Sequence, residues 1–244
     1  MDSGYRQDLS ASRRSEFWAG AKGIFPLVVG AIPFGLIYGT LVASSGLSFG
    51  AAMAMSAFVF AGSSQFIAVG LVAAGTAVPL IILTTFVVNL RHLLYAASLV
   101  PHVQHLPQAW KMPIGFWLTD EAFAVAIARY NHTDCSPHKH WYYLGAATFM
   151  YANWQVCTFL GLTIGQMIPN AASWGLDFAM SVTFIGMVIP YLKTKPMYCS
   201  VIVAGIVALL AHGLPHQLGL MVAAIAGIAA GLISEQQLTE KRNG

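Results

Sequence analysis

Two acidic residues, Asp120 and Glu121, stand side by side in an otherwise apolar stretch at 112–129. Neighbouring positions on a helix point about 100° apart, so the two carboxylates cannot serve one partner equally. One can pair with a cation while the other stays protonatable and carries a proton in exchange for a substrate. A plainer reading starts a helix near Thr119, where both acids favour the positive end of the helix dipole. A broken helix satisfies both readings. The cation at hand is Arg91, in a stretch at 77–99 that also holds Thr84, Thr85, Asn89, His92, Tyr95 and Ser98. At helical spacing Thr85, Asn89 and His92 form one stripe and Thr84, Arg91, Tyr95 and Ser98 its neighbour. An arginine inside an apolar span costs about 2.5–3.5 kcal/mol on the insertion scale. It therefore needs a partner or an aqueous cavity, unless it snorkels to the helix end.

A third group is Gly62-Ser63-Ser64-Gln65-Phe66, set between two apolar runs. Glycine and paired serines weaken a helix, and Gln65 is expensive to leave against lipid. A discontinuous helix here offers free N–H groups and a positive dipole end to an anion such as a substrate carboxylate. The alternative is an unbroken helix in which Ser63 and Ser64 bond back to their own carbonyls. The stretch with Pro26, Gly30, Pro33 and Gly35 has the same interrupted character.

The elements that position these groups follow from composition. Of 244 residues, 57% are hydrophobic and 9% charged, and the mean hydropathy is +0.66. Soluble domains carry about a quarter charged residues, so a soluble enzyme, a disordered chain and a nucleic-acid binder are excluded. A span needs about 20 apolar residues. Apolar runs at 24–44, 49–74, 77–99, 112–129, 142–167, 171–190, 197–212 and 217–233 predict an all-α membrane protein, a polytopic bundle of about eight transmembrane helices with a discontinuous second helix. Residues 1–23 and 234–244 are predicted as cytoplasmic tails around a transmembrane domain at 24–233.

With the N-terminus inside, Arg6, Arg13, Arg14, Lys22, Arg129, Lys139, Lys193, Lys195, Lys241 and Arg242 face the cytoplasm and Lys111 alone lies outside. That bias fits the positive-inside rule. It argues that the fourth segment crosses, because a re-entrant one would turn residues 130–141 outward. GxxxG spacings at Gly35/Gly39, Gly161/Gly165 and Gly227/Gly231 allow close helix packing, within the chain or between copies in an oligomer. Met55-Ser56-Ala57-Phe58 and Met180-Ser181-Val182-Thr183 suggest a parallel internal repeat of four spans. Asp177, a few residues into the sixth span, reads as interfacial and shares a face with Ser181.

Cys135, Cys157 and Cys199 have neither disulfide nor zinc spacing. The eight histidines form no site: His102, His105, His132, His138 and His140 fall in loops, and His212 and His216 flank a turn. Neither metal nor cofactor is expected.

Pro33-Phe34-Gly35, Ala61-Gly62-Ser63-Ser64-Gln65-Phe66, Asn89-Leu90-Arg91-His92-Leu93-Leu94-Tyr95 and Leu118-Thr119-Asp120-Glu121-Ala122-Phe123, taken in this order, resemble the AzlC family, the large subunits of bacterial branched-chain amino acid exporters. The resemblance implies a multi-pass protein of the bacterial inner membrane that exports leucine, isoleucine and valine, with methionine as an outlying candidate. It also implies a small AzlD-type membrane subunit as partner. No P-loop occurs in the chain, so an ion gradient, expected to be the proton gradient, or another polypeptide must supply energy.

The expected substrate-binding residues are Gly62, Ser63, Ser64, Gln65, Phe66 and Asn89, and the expected coupling residues are Arg91, His92, Asp120 and Glu121. Ser63 and Ser64 would receive the carboxylate. Phe58, Phe60 and Phe66 would hold the side chain, and Asp120 or Glu121 would meet the ammonium or a proton. Two rival classes stand beside this reading. One is an intramembrane serine hydrolase with Ser63 or Ser64 as nucleophile and His92 or His212 as base; the other is a passive channel.

Overall fold

The computed structural model describes residues 12–133, 136–164, 185, 189, 192–214 and 218–243. Among these residues there are nine helices and no strand. Two of the helices, over Arg13–Val42 and Val78–Val103, are long and apolar enough to cross a membrane by length and composition. The chain divides into two compact units, Met1–Ala74 with Asn89–Leu176 and Gly75–Val88 with Asp177–Gly244.

The first unit is organised on two helices, α1 (Arg13–Ser44) and α7 (Lys139–Ile164). Ser12 caps α1 by accepting from the Ser15 N–H at 3.1 Å. The helix then runs unbroken through Pro26 and Pro33, which corrects the expectation of an interrupted first span. A proline removes one helical hydrogen bond, and tight packing on α7 compensates for it. Near Pro33, Asn153 of α7 donates to the Val28 carbonyl at 3.4 Å. Residues 13–23, expected in the tail, form the first three turns of α1.

The two helices run parallel. Gly20 lies against the Tyr142 carbonyl and Gly145 against the Phe17 carbonyl near their N-termini; Gly35 meets Cys157, and Gly39 and Gly161 cross beside Thr158 and Leu36 near their C-termini. A Cβ at Gly20, Gly39, Gly145 or Gly161 would strike backbone. The GxxxG glycines described here are thus used inside the chain. The α1–α7 pair defines a starting end, with Arg13 and Lys139, and a finishing end, with Ser44 and Ile164.

Helices α2 (Phe49–Phe58) and α3 (Gly62–Ala73) form a hairpin entering from the finishing end. Phe49 packs on Phe159 near the end of α7. The last turn of α2 reaches mid-length, where the Tyr151 hydroxyl donates to the Ala57 carbonyl at 3.1 Å. There α3 begins, with Gly62 against the Trp154 ring, and turns back so that Phe66 meets Tyr38 in the last two turns of α1.

Helix α4 (Val78–Val103) carries the chain to the starting end. Its Asn89 lies beside Ser64 at mid-length, and its Leu99 and Val103 pack with Tyr143 and Ala147 in the first turns of α7. Helices α5 (Gln108–Phe116) and α6 (Asp120–Tyr130) then form a second hairpin, entering from the starting end. Trp110 packs on His140 and Trp141, the Ile114 carbonyl accepts from Tyr143 at 2.7 Å, and Trp117 reaches Tyr151 at mid-length. Helix α6 returns until Arg129 meets Glu16 in the first turn of α1.

The second and fourth predicted spans, 49–74 and 112–129, are therefore hairpins that fold back at mid-length rather than single crossings. The four helices have 10, 12, 9 and 11 residues, so each rises only about 13–18 Å. Hydropathy counts apolar residues and is blind to a reversal among them.

In the second unit, α8 (Lys195–Leu210) and α9 (Leu218–Asn243) pack antiparallel: Gly219 lies against Ala211, and Gly227 and Gly231 against Ser200. The predicted sixth span is described only at Ile185 and Ile189. Asp177, the repeat segment Met180-Ser181-Val182-Thr183, Gly165, Cys135 and His216 lie outside the described residues.

Candidate functional site

The two hairpin tips, 59–61 and 117–119, meet α4 and α7 at the middle of the first unit. The first tip is an enforced break. Had α2 continued, the Ser56 and Ala57 carbonyls would accept from Phe60 and Ala61. Instead Phe60 adopts φ of +41°, and its N–H reaches the Met55 carbonyl at 3.4 Å. A bulky residue in this region stores about 1–3 kcal/mol of strain. Helix α7 compensates: Gln155 donates to the freed Ser56 carbonyl at 3.0 Å and Tyr151 to that of Ala57 at 3.1 Å. The Ser56 and Thr158 hydroxyls pair at 3.0 Å, and the Phe60 ring meets the Tyr151 ring at 4.8 Å. Net gains of about 0.5–1.5 kcal/mol per hydrogen bond offset the strain.

Beyond the break, α3 starts at Gly62 with no side-chain cap from Ala61, so its first N–H groups remain available. Ser63 accepts from Arg91 Nη2 at 3.2 Å, and Ser64 donates to Asn89 Oδ1. Gln65, fully buried, accepts from Trp154 Nε1 at 3.1 Å. Gly62 is set by contact: a Cβ there would stand 3.2 Å from the Trp154 ring.

The second tip is locally encoded. Thr119 caps α6 by accepting from the Ala122 N–H at 3.3 Å, and Asp120 and Glu121 occupy the first turn. Asp120 Oδ2 pairs with Arg91 Nη1 at 2.8 Å. Arg91 thus ties α4 to both tips, through Ser63 on one and Asp120 on the other.

The structure links Ser63, Ser64, Asn89, Arg91 and Asp120 by hydrogen bonds along α4, and Gln65 and Gly62 adjoin them. Phe66 lies edge-on to Tyr38, 5.8 Å between centroids. His92 is adjacent on α4, but its Nδ1 contacts the Asn89 carbonyl at 3.1 Å, and its ring faces Tyr95. Glu121 sits beside Asp120 in the first turn of α6, while the guanidinium of Arg91 pairs with Asp120. Phe58 is 77% exposed among the described residues. Sequence reading missed the strip Tyr151, Trp154, Gln155 and Thr158 on α7. Their i, i+3, i+4, i+7 spacing places four hydrogen-bonding groups on one helix face, and that was the available signal.

Four polar atoms at these tips are buried without a hydrogen bond: Gln65 Nε2, Arg91 Nε, Trp117 Nε1 and Asp120 Oδ1. The Tyr38 hydroxyl, which donates to the Ala52 carbonyl at 3.4 Å, and the Tyr95 hydroxyl come near Gln65 and Asp120. Buried polar atoms are rarely left unpaired, and a cluster of three donors and one acceptor defines a polar site of mixed charge. Among the described residues, no group of three His, Cys, Asp or Glu side chains is placed to hold a metal.

A second ion pair closes the starting end. Arg129 makes a two-pronged contact with Glu16, whose side chain is 4% exposed, and Ser136 donates to the same carboxylate at 2.7 Å. Arg129 also lies over the Tyr142 ring. This cluster joins α1, the end of α6 and the start of α7.

Helices that stop midway and meet around a buried polar cluster are the construction by which membrane transporters build their binding sites. The chain belongs to the AzlC family: the family model described as AzlC protein matches residues 26–168. It is 28% identical over 222 residues to the inner membrane protein YgaZ of Escherichia coli K12, covering 89% of each chain. It is 30% identical over 221 residues to an uncharacterized membrane protein of Archaeoglobus fulgidus, covering 89% of this chain and 95% of that one. With the branched-chain amino acid transport protein AzlC of Bacillus subtilis 168 it shares 27% identity over 195 residues, 77% of this chain and 74% of the relative. No solved structure matches the chain.

Proposed function

We propose that this protein is a secondary transporter that exports branched-chain amino acids, with methionine as a further candidate, from the bacterial cytoplasm in exchange for protons. The observation that carries the reading is the set of unpaired atoms at the tips. An α-amino acid presents a carboxylate and an ammonium a few ångströms apart. Arg91 Nε, Gln65 Nε2, Trp117 Nε1 and the uncapped start of α3 suit the carboxylate, and Asp120 Oδ1 suits the ammonium. The rings of Phe60 and Trp117, packed through a common neighbour on α7, supply an apolar wall for the side chain. The relative from Bacillus subtilis, named as a branched-chain amino acid transport protein, supports the same substrate class.

In this reading α1, α4 and α7 cross the inner membrane, and the hairpins enter it from opposite faces. The parallel run of α1 and α7 supports it, because one hairpin, one crossing and a second hairpin lie between them. Lys111, near the start of α5, then falls on the same side as Arg13, and every Lys and Arg outside the spans becomes cytoplasmic. If the span expected from the sequence at 171–190 is counted with α8 and α9, the reading has six crossings and two hairpins with both termini inside. The transporter domain then extends from Arg13 to about 233, followed by a short cytoplasmic tail. An AzlD-type small subunit is proposed as partner on the resemblance.

Two hydrogen bonds speak against the hydrolase reading. Ser64 gives its hydroxyl to Asn89, and Ser63 receives Arg91, so neither is paired with a base. A proton entering down 100 mV supplies about 2.3 kcal/mol, more than a tenfold gradient. The test is labelled-leucine counterflow and pH-driven efflux in proteoliposomes, with this chain alone and with the small subunit. Absence of counterflow in both preparations overturns the transport reading. Unchanged pH-driven efflux in both Asp120→Asn and Glu121→Gln overturns proton coupling by these residues, and efflux that never passes equilibrium identifies a passive channel.

A further inference from the structure

The two hairpin tips touch a common residue on α7. Tyr151 donates its hydroxyl to the Ala57 carbonyl in the last turn before the first tip. Its ring meets Phe60 of that tip edge-on at 4.8 Å and Trp117 of the other tip at 5.7 Å. Trp117 Nε1 makes no hydrogen bond, so ring packing holds the indole there. Helix α7 is itself held against α1 near both ends, where Gly145 meets the Phe17 backbone and Gly161 meets Leu36 and Gly39.

We propose that Tyr151 is a positioning residue that keeps the two tips from leaving the centre of the protein together. The proposal rests on the transport reading above and deepens it by naming what makes access alternate. Withdrawing one tip leaves the Tyr151 ring in place against the other, so the path stays closed on one side. Arg91 bridges the same tips from α4, but it belongs to the binding cluster and its loss would abolish binding as well. Tyr151 can therefore be altered to separate closure from binding.

The test compares two fluxes in proteoliposomes of the full chain: leucine counterflow, which needs alternating access, and downhill leucine leak without exchange substrate. Tyr151→Ala is expected to raise the ratio of leak to counterflow about fivefold or more, the range of ordinary coupling energies. Tyr151→Phe keeps the ring and should raise it less. An unchanged ratio in Tyr151→Ala, whether both fluxes fall together or both persist, overturns the proposal. Should that variant not remain monodisperse, Tyr151→Leu serves the same comparison.

A second readout does not depend on leucine. In a chain with Cys135, Cys157 and Cys199 replaced, Ser63→Cys and Thr119→Cys report the two tips to an impermeant maleimide, each from its own side. Tyr151→Ala should accelerate both labelling rates. Acceleration of neither, or of one only, overturns the proposal. Failure of wild-type counterflow would sink the substrate assignment while labelling still judges Tyr151.

Discussion

The two hairpins reach the same place by opposite means. The α5–α6 tip carries its own instructions: Thr119 caps α6, two acids sit in the first turn, and the Glu16–Arg129 pair anchors the far end. The α2–α3 tip has no cap and holds Phe60 in a left-handed conformation. Its freed carbonyls are satisfied by Tyr151 and Gln155 of another helix. One tip is charged and self-supporting, the other neutral, strained and supported from outside. A strained, externally held tip with free N–H groups is suited to receive a ligand and to move when it does. A capped, anchored tip is suited to hold charge in a fixed place.

The anchor should give the largest effect. Glu16→Ala removes the carboxylate that receives both Arg129 and Ser136. Breaking a buried pair from one side costs about 3–5 kcal/mol, so thermal unfolding in detergent should fall well below wild type, and Glu16→Gln should recover part of the loss. A near-normal Tm in Glu16→Ala would remove the anchor from the account.

The central pair ranks next. Arg91 and Asp120 are 25% and 18% exposed, so Arg91→Met should cost less, about 2–3 kcal/mol, while abolishing leucine counterflow. Gln155→Leu leaves the Ser56 carbonyl without its donor, at about 1–3 kcal/mol. Because that loss falls on the strained hairpin alone, it should raise thiol reactivity at Ser63→Cys and leave Thr119→Cys unchanged. Equal changes at both reporters would erase the distinction between the hairpins.

Much of the charged tip was legible in the sequence. Thr119-Asp120-Glu121 is a helix start by residue type, and Arg91 is the nearest cation in an apolar context. The helix break near Gly62 was also legible, because Gly-Ser-Ser weakens a helix and Gln65 needs a partner. The turn-back was hidden. A 26-residue apolar run reads the same whether it crosses once or enters and returns, and two hairpins in place of two crossings leave the lysine and arginine count almost untouched; only Lys111 changes side. The prolines misled in the opposite direction. Pro26 and Pro33 mark a weak helix locally, yet glycine-packed contact with α7 keeps α1 whole. Glu16 looked like tail charge because its partner Arg129 is 113 residues away, a separation that no local pattern reports.

The smallest energies decide most about the comparison, because they test the caps directly. Thr119→Ala removes a side-chain cap and should cost about 1 kcal/mol, read as a small drop in Tm. At the matching position of the other hairpin, Ala61→Asp should do the reverse. It places a carboxylate at the start of α3, where the N–H groups lack a side-chain cap, and the helix dipole favours it by about 0.3–1 kcal/mol. If those N–H groups receive the substrate carboxylate, the new side chain occupies their place. Leucine counterflow should then fall steeply in a protein of equal or higher Tm, whereas Ala61→Ser, neutral and shorter, should retain most of it. Stability and transport moving in opposite directions at Ala61, but in the same direction at Thr119, would show that one hairpin start is left open for ligand and the other is closed by its own sequence. Undiminished counterflow in Ala61→Asp would place the carboxylate elsewhere, on Arg91 without α3.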